Sequence, residues 1–353
     1  MVRSLYSGVS GLTTHQTRMD VIGNNIANVN TYGFKASRVT FRDIYYQTAI
    51  GETAGTASFA GNNPSTVGYG VQLGSIDKDM SMSSFQSTNR VLDLAISGDG
   101  FFITSTFDGS LINIDEDTGD LDEDSLEVQP KSTTYTRMGN LSIDSNGNLV
   151  AGANVFVLGT SNNAAGLAAV GDASASVLNN LDITTSGGEA NNAGGGAGDD
   201  DEDDGVTSAD LRAKNIINIE TLINKAWPNA GRRLTYADLS AFQIGKDGVI
   251  TVTYNSEMKA LARIELATFD NQEGLIEDGN TSFAESAASG VAKIKKPGDP
   301  GAGYTQSNKL EMSNVNLAQE FSDMIVTQRG YQANARIITT SDSMLEELVN
   351  LKR

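Results

Sequence analysis

At both ends of the chain, apolar residues recur at the spacing that places them along one face of a long helix. In residues 2–30, and again in residues 317–351, apolar side chains return after alternating steps of three and four residues. This spacing predicts two helices, about 40 and 50 Å long at ~1.5 Å per residue. The stripes are narrow, as in helices that pack on other helices. We therefore predict that the two ends pair with each other and with further copies of the chain; the alternative is two amphipathic helices on one ordinary core.

The first helix is predicted to end between residues 23 and 35. Residues 23–30 contain four asparagines, and asparagine is a poor helix former because its amide competes for backbone hydrogen bonds. Gly33 then provides a natural exit turn.

The net charge of the chain is confined to its middle. Residues 1–50 have a net charge of +3 and residues 306–353 of −1, whereas residues 51–305 have −21, for a total of −19. A chain this anionic is a poor ligand for nucleic acid or for acidic lipid headgroups. The sequence has no apolar run of membrane-spanning length, so we expect neither nucleic-acid binding nor membrane insertion.

The middle of the chain has the pattern of β-strands. Residues 91–103, 141–150 and 242–252 each place an Asp-Gly or Asn-Gly turn between apolar runs, which predicts a hairpin. Residues 159–235 differ, because they are rich in Gly, Asn and Asp and include six consecutive acidic residues at 199–204. That composition predicts a flexible or weakly ordered insert.

These patterns together predict an α+β, multidomain protein built from discontinuous domains. Its N- and C-terminal helices would pair in a coiled-coil-like manner around an antiparallel β-rich middle. The predicted parts are a terminal helical domain, a connecting segment, a β-rich domain and an inserted domain. They span, in that order, residues 1–33 with 307–353, 34–70, 71–158 with 236–306, and 159–235.

The sequence offers little chemistry for catalysis. It has no cysteine and a single histidine, His15, which lies off the apolar stripe and is expected to be exposed. The acidic run Asp199–Asp204 precedes a glycine, but Leu211 stands where a calcium loop needs a bidentate glutamate. We therefore expect no enzyme activity, no catalytic residue, no metal site and no cofactor.

Two terminal segments carry a specific combination of motifs. Residues 4–35 begin with Ser-Leu-Tyr-Ser-Gly and end with the Asn-rich run, and residues 320–335 contain Gln-Arg-Gly-Tyr-Gln-Ala-Asn. Together with residues 92–102 and 135–140, these motifs resemble the axial proteins of the bacterial flagellum, which are its rod and hook subunits. The insert at 159–235 matches nothing in that family.

The resemblance implies a structural subunit that assembles into a helical tube around a narrow export channel. The terminal helices would form the inner layer, with the β-rich domain outside them and the insert, residues 159–235, as the outer domain. The residues that the resemblance and the apolar stripes assign to self-assembly are Leu5, Val9, Leu12, Met19, Ile22, Asn24, Asn25, Ile26, Asn28, Leu317, Phe321, Met324, Gln328, Arg329, Tyr331, Asn334, Ile338, Leu345 and Leu348.

Within that family the sequence is most similar to the hook subunit, through residues 67–71, 87–89 and 242–248. A hook subunit forms a curved extracellular tube that joins rod to filament and transmits torque. The implied partners are further copies of the chain, the rod, hook cap and hook–filament junction proteins, and the type III export apparatus, which would export it without a cleaved signal peptide. The alternative is a distal rod subunit, part of a rigid drive shaft, although such subunits usually lack so large an insert. Outside the family, the alternative is an acidic, calcium-binding surface protein.

Overall fold

The computed structural model describes residues 2–55, 60–106, 132–152, 155–161, 215–227 and 234–351. The chain divides into two compact units, Met1–Ser81 with Ser313–Arg353 and Met82–Met312. The second unit contains 34 acidic and 15 basic residues, whereas the first contains 10 of each. The first unit is therefore neutral, and the second carries the whole net charge of the chain.

The described residues of the first unit form two long helices and four strands. They are α1 (Val2–Ala27), β1 (Ser37–Asp43), β2 (Tyr46–Ile50), β3 (Ser65–Gly68), β4 (Val71–Lys78) and α3 (Leu317–Leu351). Strand β1 pairs with β4 in an antiparallel sheet, and β2 pairs with β3 in a separate hairpin. The segment 34–70, expected to connect domains, thus contributes three strands to the unit that holds the helices.

The two terminal helices confirm the sequence pattern. Helix α1 ends at Ala27, inside the Asn-rich run, and the exit turn contains Gly33 at a φ of 69°. Helix α3 extends over all 35 residues from Leu317 to Leu351. The α+β class with terminal helices and a β-rich middle is confirmed; a coiled-coil geometry between the helices is not, and their contact is described below.

The second unit consists of seventeen described strands and one short helix. The strands are β5 (Phe85–Ser87), β6 (Leu94–Ser97), β7 (Phe101–Thr106), β8 (Ser132–Thr136), β9 (Leu141–Ile143), β10 (Leu149–Ala151), β11 (Val155–Ser161), β12 (Asn215–Ile216), β13 (Ala241–Ile244), β14 (Val249–Tyr254), β15 (Glu257–Ile264), β16 (Leu266–Thr268), β17 (Ile276–Gly279), β18 (Ser282–Ala284), β19 (Lys293–Lys295), β20 (Tyr304–Ser307) and β21 (Lys309–Glu311), and the helix is α2 (Ile219–Ala226). The main sheet has the strand order β13-β14-β15-β11-β7-β8-β18-β17. Its core is built from aliphatic and aromatic residues such as Leu94, Phe102, Ile250 and Leu266.

Two of the three predicted hairpins are confirmed. Strand β9 pairs with β10, and β13 pairs with β14, each across its Gly-containing turn. The third prediction, over residues 91–103, is wrong, because β6 pairs with β20, and β7 with β8, β11 and β16. A Cβ on Gly98 would lie 3.0 Å from the Cα of Gly303, so the glycine lets a distant segment approach the end of β6. Pairing across some 200 residues replaces the local hairpin.

Residues 217–226 pack into the core of the second unit. The side chain of Asn218 accepts a hydrogen bond from the backbone N–H of Thr221 and so caps the start of α2. The helix buries Ile219, Ile223 and Ala226. This part of the predicted insert therefore belongs to the β-rich unit, while residues 162–214, including Asp199–Asp204, lie outside the described residues.

A buried ion pair joins two distant parts of this unit. Nη1 of Arg137 lies 3.4 Å from Oε2 of Glu311, and both side chains are at most 1% exposed. The guanidinium also lies over the ring of Phe101, 5.2 Å from its centroid. Gly139, two residues after Arg137, accepts a hydrogen bond from the N–H of Leu94 through its carbonyl. A Cβ on Gly139 would overlap the carbonyl oxygen of Leu94, so only glycine fits there. The internal motifs 92–102 and 135–140 thus meet at one junction.

Removing one charge of this pair should destabilise the second unit more than removing both. In Glu311→Gln the amide keeps the shape of the carboxylate but leaves Arg137 buried without a counter-ion, which should lower the free energy of unfolding by about 3 kcal/mol. The double variant Arg137→Met/Glu311→Leu should recover most of that loss. Urea unfolding followed by fluorescence of Trp227, the one tryptophan of the chain, measures both. A double variant as unstable as the single one would contradict the expectation.

Candidate self-assembly surface

The two terminal helices run antiparallel and meet along a seam of small and polar residues. Each helix supplies one residue every seven positions to this seam. In α1 these are Ser4, Gly11, Arg18 and Asn25. In α3, taken in the antiparallel direction, they are Ser341, Asn334, Thr327 and Glu320. Ser4 faces Ser341 with their hydroxyl oxygens 3.5 Å apart, and at the other end Nδ2 of Asn25 donates to Oε1 of Glu320 at 3.1 Å.

Glycines let the two helix backbones approach closely. A Cβ on Gly11 would lie 2.5 Å from Nδ2 of Asn334, and one on Gly8 would lie 3.2 Å from the side chain of Ile338. On the opposite helix, a Cβ on Gly330 would lie 2.8 Å from the ring of His15. Each glycine therefore accommodates a larger side chain of the partner helix.

One ion pair crosses the seam. Nη2 of Arg18 lies 3.2 Å from Oδ1 of Asp323, with both side chains about one-third exposed. At that exposure the pair contributes about 1 kcal/mol or less, because water and salt screen it. The seam thus gains specificity from its polar contacts.

His15 is more enclosed than its position off the apolar stripe predicts. Besides contacting Gly330, its ring meets Phe41 of β1 edge-on, with centroids 5.9 Å apart. Its Nδ1 is buried and makes no hydrogen bond within the described residues. Burial, and secondarily the positive charge of Arg18, lower the pKa of His15 below its ordinary value. The expectation of an exposed surface histidine is wrong, because the missing side chain of Gly330 opens a recess for it.

A second group of polar contacts holds the chain where it leaves α1. The amide of Asn25 accepts from the N–H of Ser37 at 3.0 Å and donates to its carbonyl at 2.9 Å. Asn314 accepts from the N–H of Ala36 at 2.7 Å and donates to the carbonyl of Asp79. Lys35 is 2% exposed, and its Nζ donates to the carbonyl of Ser81 at 2.7 Å. We call this group the neck; it ties together three passages of the chain.

The predicted self-assembly residues occupy different environments. Ile22 and Asn25 are buried, and Asn25 belongs to both the seam and the neck. Those that are partly buried are Leu5, Leu12, Met19, Ile26, Asn28, Met324, Tyr331, Asn334, Ile338 and Leu345, and those that are exposed are Val9, Asn24, Leu317, Phe321, Gln328, Arg329 and Leu348. Asn24 and Asn28 hydrogen-bond to each other at the end of α1. The assembly role of these residues remains a prediction.

The seam itself was missed by the search for apolar periodicity. Gly8, Gly11, Gly330 and Ser341 belong to it and carry no apolar signal. The signal that could have revealed it is the seven-residue repeat of small or polar residues in both helices, which is visible in the sequence.

Several large apolar side chains of α3 lie outside the seam and are exposed. Phe321 is 50% exposed, Ile325 58% and Val326 60%, and further along the helix Ile337, Met344 and Leu348 are each more than 40% exposed. On α1, Tyr6 and Val9 are exposed as well. Side chains of this size gain roughly 1.5–3 kcal/mol each when fully buried, so the helix pair has apolar surface for contacts with other molecules.

The described residues show neither a metal site nor a membrane-spanning helix. No group of three or more acidic or histidine residues in them is arranged to hold a metal ion. None of their helices is long and apolar enough to cross a bilayer.

Comparison with known proteins identifies the class. The family model described as "Flagella basal body rod protein" matches residues 5–35, and "Flagellar basal body rod FlgEFG protein C-terminal" matches residues 306–351. These two segments contain most of α1 and all of α3, with the seam between them. The fold and both matches therefore define a flagellar axial protein.

Relatives that align over the full length of the chain support the same class. The chain is 39% identical to the flagellar basal-body rod protein FlgG of Bacillus subtilis over 356 positions, covering 100% of both chains. It is 33% identical to the flagellar hook protein FlgE of Borreliella burgdorferi over 442 positions, again covering 100% of both. It is 30% identical to the hook protein FlgE of Salmonella typhimurium, covering 99% of this chain and 100% of that one. The chain belongs to the flagellar rod and hook family, whose members are structural components forming homopolymeric axial structures of the flagellum.

Two glycines of α1 provide a matched test of the seam. Gly11→Ala would push a methyl group against Asn334, so it should destabilise the helix pair by about 1–3 kcal/mol. Gly23→Ala meets nothing within 4 Å and should stabilise α1 by about 0.5–1 kcal/mol through helix propensity. Thermal loss of the helical circular dichroism of the assembled protein compares the two. Equal effects of both substitutions would show that the close approach at Gly11 does not exist.

The stability of the helix pair should fall as the pH drops through about 6.5, the ordinary pKa of histidine. Below that pH, His15 is protonated in the unfolded chain but stays largely neutral in the folded helix pair. Protonation therefore stabilises the unfolded state, and the free energy of unfolding falls. Burial raises the pKa of Glu320, and its protonation at lower pH favours the folded state, so it cannot cause a loss. Melting of the assembled protein between pH 7.5 and 5.5 should show the decline, and His15→Gln should remove it. Identical pH profiles for the two proteins would contradict this assignment.

Proposed function

We propose that this chain is the subunit of the flagellar hook, and that its copies polymerise through α1 and α3. The observation that carries the polymerisation is the helix pair itself. Its internal seam is small and polar, whereas Phe321, Ile325 and Val326 are at least half exposed. Large apolar residues in that position favour contact with further copies, at roughly 25 cal/mol per Å² of apolar surface buried.

The distribution of charge supports a bending joint. The second unit of each copy carries a net charge of −19, so like-charge repulsion opposes tight lateral packing of these units. Salt screens this repulsion only at distances beyond about 8–10 Å. When a tube bends, contacts on its outer side must lengthen and those on its inner side must shorten. Acidic second units that do not lock together permit that sliding, while the neutral helical units, with 10 acidic and 10 basic residues, supply cohesion.

The distal rod is the second candidate, and two observations favour it. The relative named as a rod protein in Bacillus subtilis has 39% identity, above the 33% of the hook protein of Borreliella burgdorferi. The alignment with that rod protein takes 356 positions, close to the 353 residues of this chain, whereas the alignment with that hook protein takes 442. The hook protein therefore contains at least about 89 residues that have no counterpart here.

In the proposed mechanism the chain acts mechanically. Copies stack into a helical tube outside the cell, the helical units form the cohesive layer, and torque passes from rod to filament through it. The proposed partners are further copies, the rod, cap and junction proteins at the two ends of the tube, and the type III export apparatus that delivers the chain.

Labelling of isolated hook–basal bodies distinguishes hook from rod. Antibody against residues 159–235, visualised with gold in the electron microscope, should decorate a curved segment outside the envelope if the hook assignment is right. Gold restricted to a short straight segment would assign the chain to the distal rod. Particles from a strain that lacks the gene are the control and should carry no gold.

A further inference from the structure

Most of the exposed apolar residues of α3 form two separate stripes on its two sides, and Val349 and Leu351 are exposed at its C-terminal end. Leu317, Phe321 and Ile325 follow one another at four-residue spacing, which keeps them on one side of the helix. Val326, Ile337, Met344 and Leu348 are spaced by 11, 7 and 4 residues, which keeps them on the other side. The seam with α1 lies between the stripes on one side. A polar strip that includes the exposed residues Arg329, Arg336 and Ser343 lies between them on the other.

The two stripes lie at different heights along the helix. The first occupies the N-terminal third of α3, and the second lies mainly in its C-terminal half. On the side of the first stripe, the C-terminal half carries exposed Asp342 and Glu346 and, near its end, exposed Val349. If neighbouring α3 helices lay side by side without displacement, Met344 of one copy would be pressed against the carboxylates of Asp342 and Glu346 of the next. Burying carboxylates against apolar side chains is unfavourable.

A displacement along the helix axis removes this conflict. We propose that neighbouring copies place their α3 helices side by side, parallel and displaced by about 16 to 19 residues, or roughly 24–29 Å. Phe321 of one copy then lies beside Ile337 of the next, and Ile325 lies beside Met344. Asp342 and Glu346 fall beyond the end of the neighbouring stripe and stay in water.

The inference rests on the proposed polymer. Copies in a helical polymer are related by rotation about one axis and translation along it, so equivalent helices that follow the axis are parallel, and one stripe of each copy meets the other stripe of its neighbour. Such a head-to-tail contact propagates without closing, and it uses both stripes of every copy.

The absence of cysteine from the chain allows a direct test by disulfide cross-linking. In the double variant Phe321→Cys/Ile337→Cys the two thiols of one copy are about 24 Å apart on one helix. A disulfide needs Cα atoms within roughly 7 Å, so any bond must join two copies. Oxidation of the assembled protein should give a ladder of dimers, trimers and longer chains on a denaturing gel. Each single-cysteine variant should give no species larger than a dimer.

The matched control places two cysteines so that they would form a disulfide between copies only if neighbouring α3 helices lay side by side without displacement. In Ile337→Cys/Thr339→Cys the two positions lie on opposite sides of α3 at nearly the same height, and a ladder from this variant alone would overturn the proposal. If Phe321→Cys/Ile337→Cys fails to assemble, Ile325→Cys/Met344→Cys tests the upper end of the same range, a displacement of about 19 residues or 29 Å. Assembled polymer without a ladder from either displaced pair would also overturn the proposal. Failure of the unmodified chain to form any sedimentable polymer would instead count against the proposed function.

Discussion

The close, polar contact between α1 and α3 determines how the rest of the helical unit is used. Gly8, Gly11 and Gly330 bring the two helix backbones together, and Ser4, Arg18 and Asn25 make specific polar contacts across the seam. Small residues at such a contact fix the register of the helices. Several large apolar side chains of α3, such as Phe321, Ile325 and Val326, lie outside the seam and are at least half exposed. A helix pair built in the ordinary way, with its apolar residues inside, would have no such surface left for its neighbours.

The division of charge follows the same logic at the scale of the chain. The unit that contains the helices is neutral, with 10 acidic and 10 basic residues, whereas the second unit contains 34 and 15. Neutrality permits close packing of many copies, since no net repulsion accumulates. The acidic unit keeps its surface solvated and resists tight association. Cohesion and repulsion are thereby assigned to different parts of one chain, which is a suitable arrangement for a tube that has to hold together and still deform.

Much of this architecture could be predicted from the sequence, and the misses have physical causes. Both terminal helices, the end of α1 in the Asn-rich run, and the hairpins β9–β10 and β13–β14 depend on local patterns, which a sequence displays directly. The pairing of β6 with β20 could not be predicted, because it joins residues some 200 positions apart. The seam was missed because the search counted apolar residues, whereas the contact depends on Gly11 and on polar partners such as Asn334.

The position of Asn25 bears on what the motifs of this family signify. Its amide hydrogen-bonds to Glu320 of α3 and to both backbone groups of Ser37, so it links the seam to the neck within one chain. Asn334, in the C-terminal motif, likewise contacts Gly11 of the same chain. These residues thus act inside the subunit by bringing together two helices that are separated by 289 residues, since α1 ends at Ala27 and α3 begins at Leu317. In the proposed polymer, the residues left for contacts between copies, such as Phe321 and Met344, need only be apolar and correctly spaced. A motif can therefore identify the family through its internal contacts, while the proposed polymer surface is recognised from exposure and helical position.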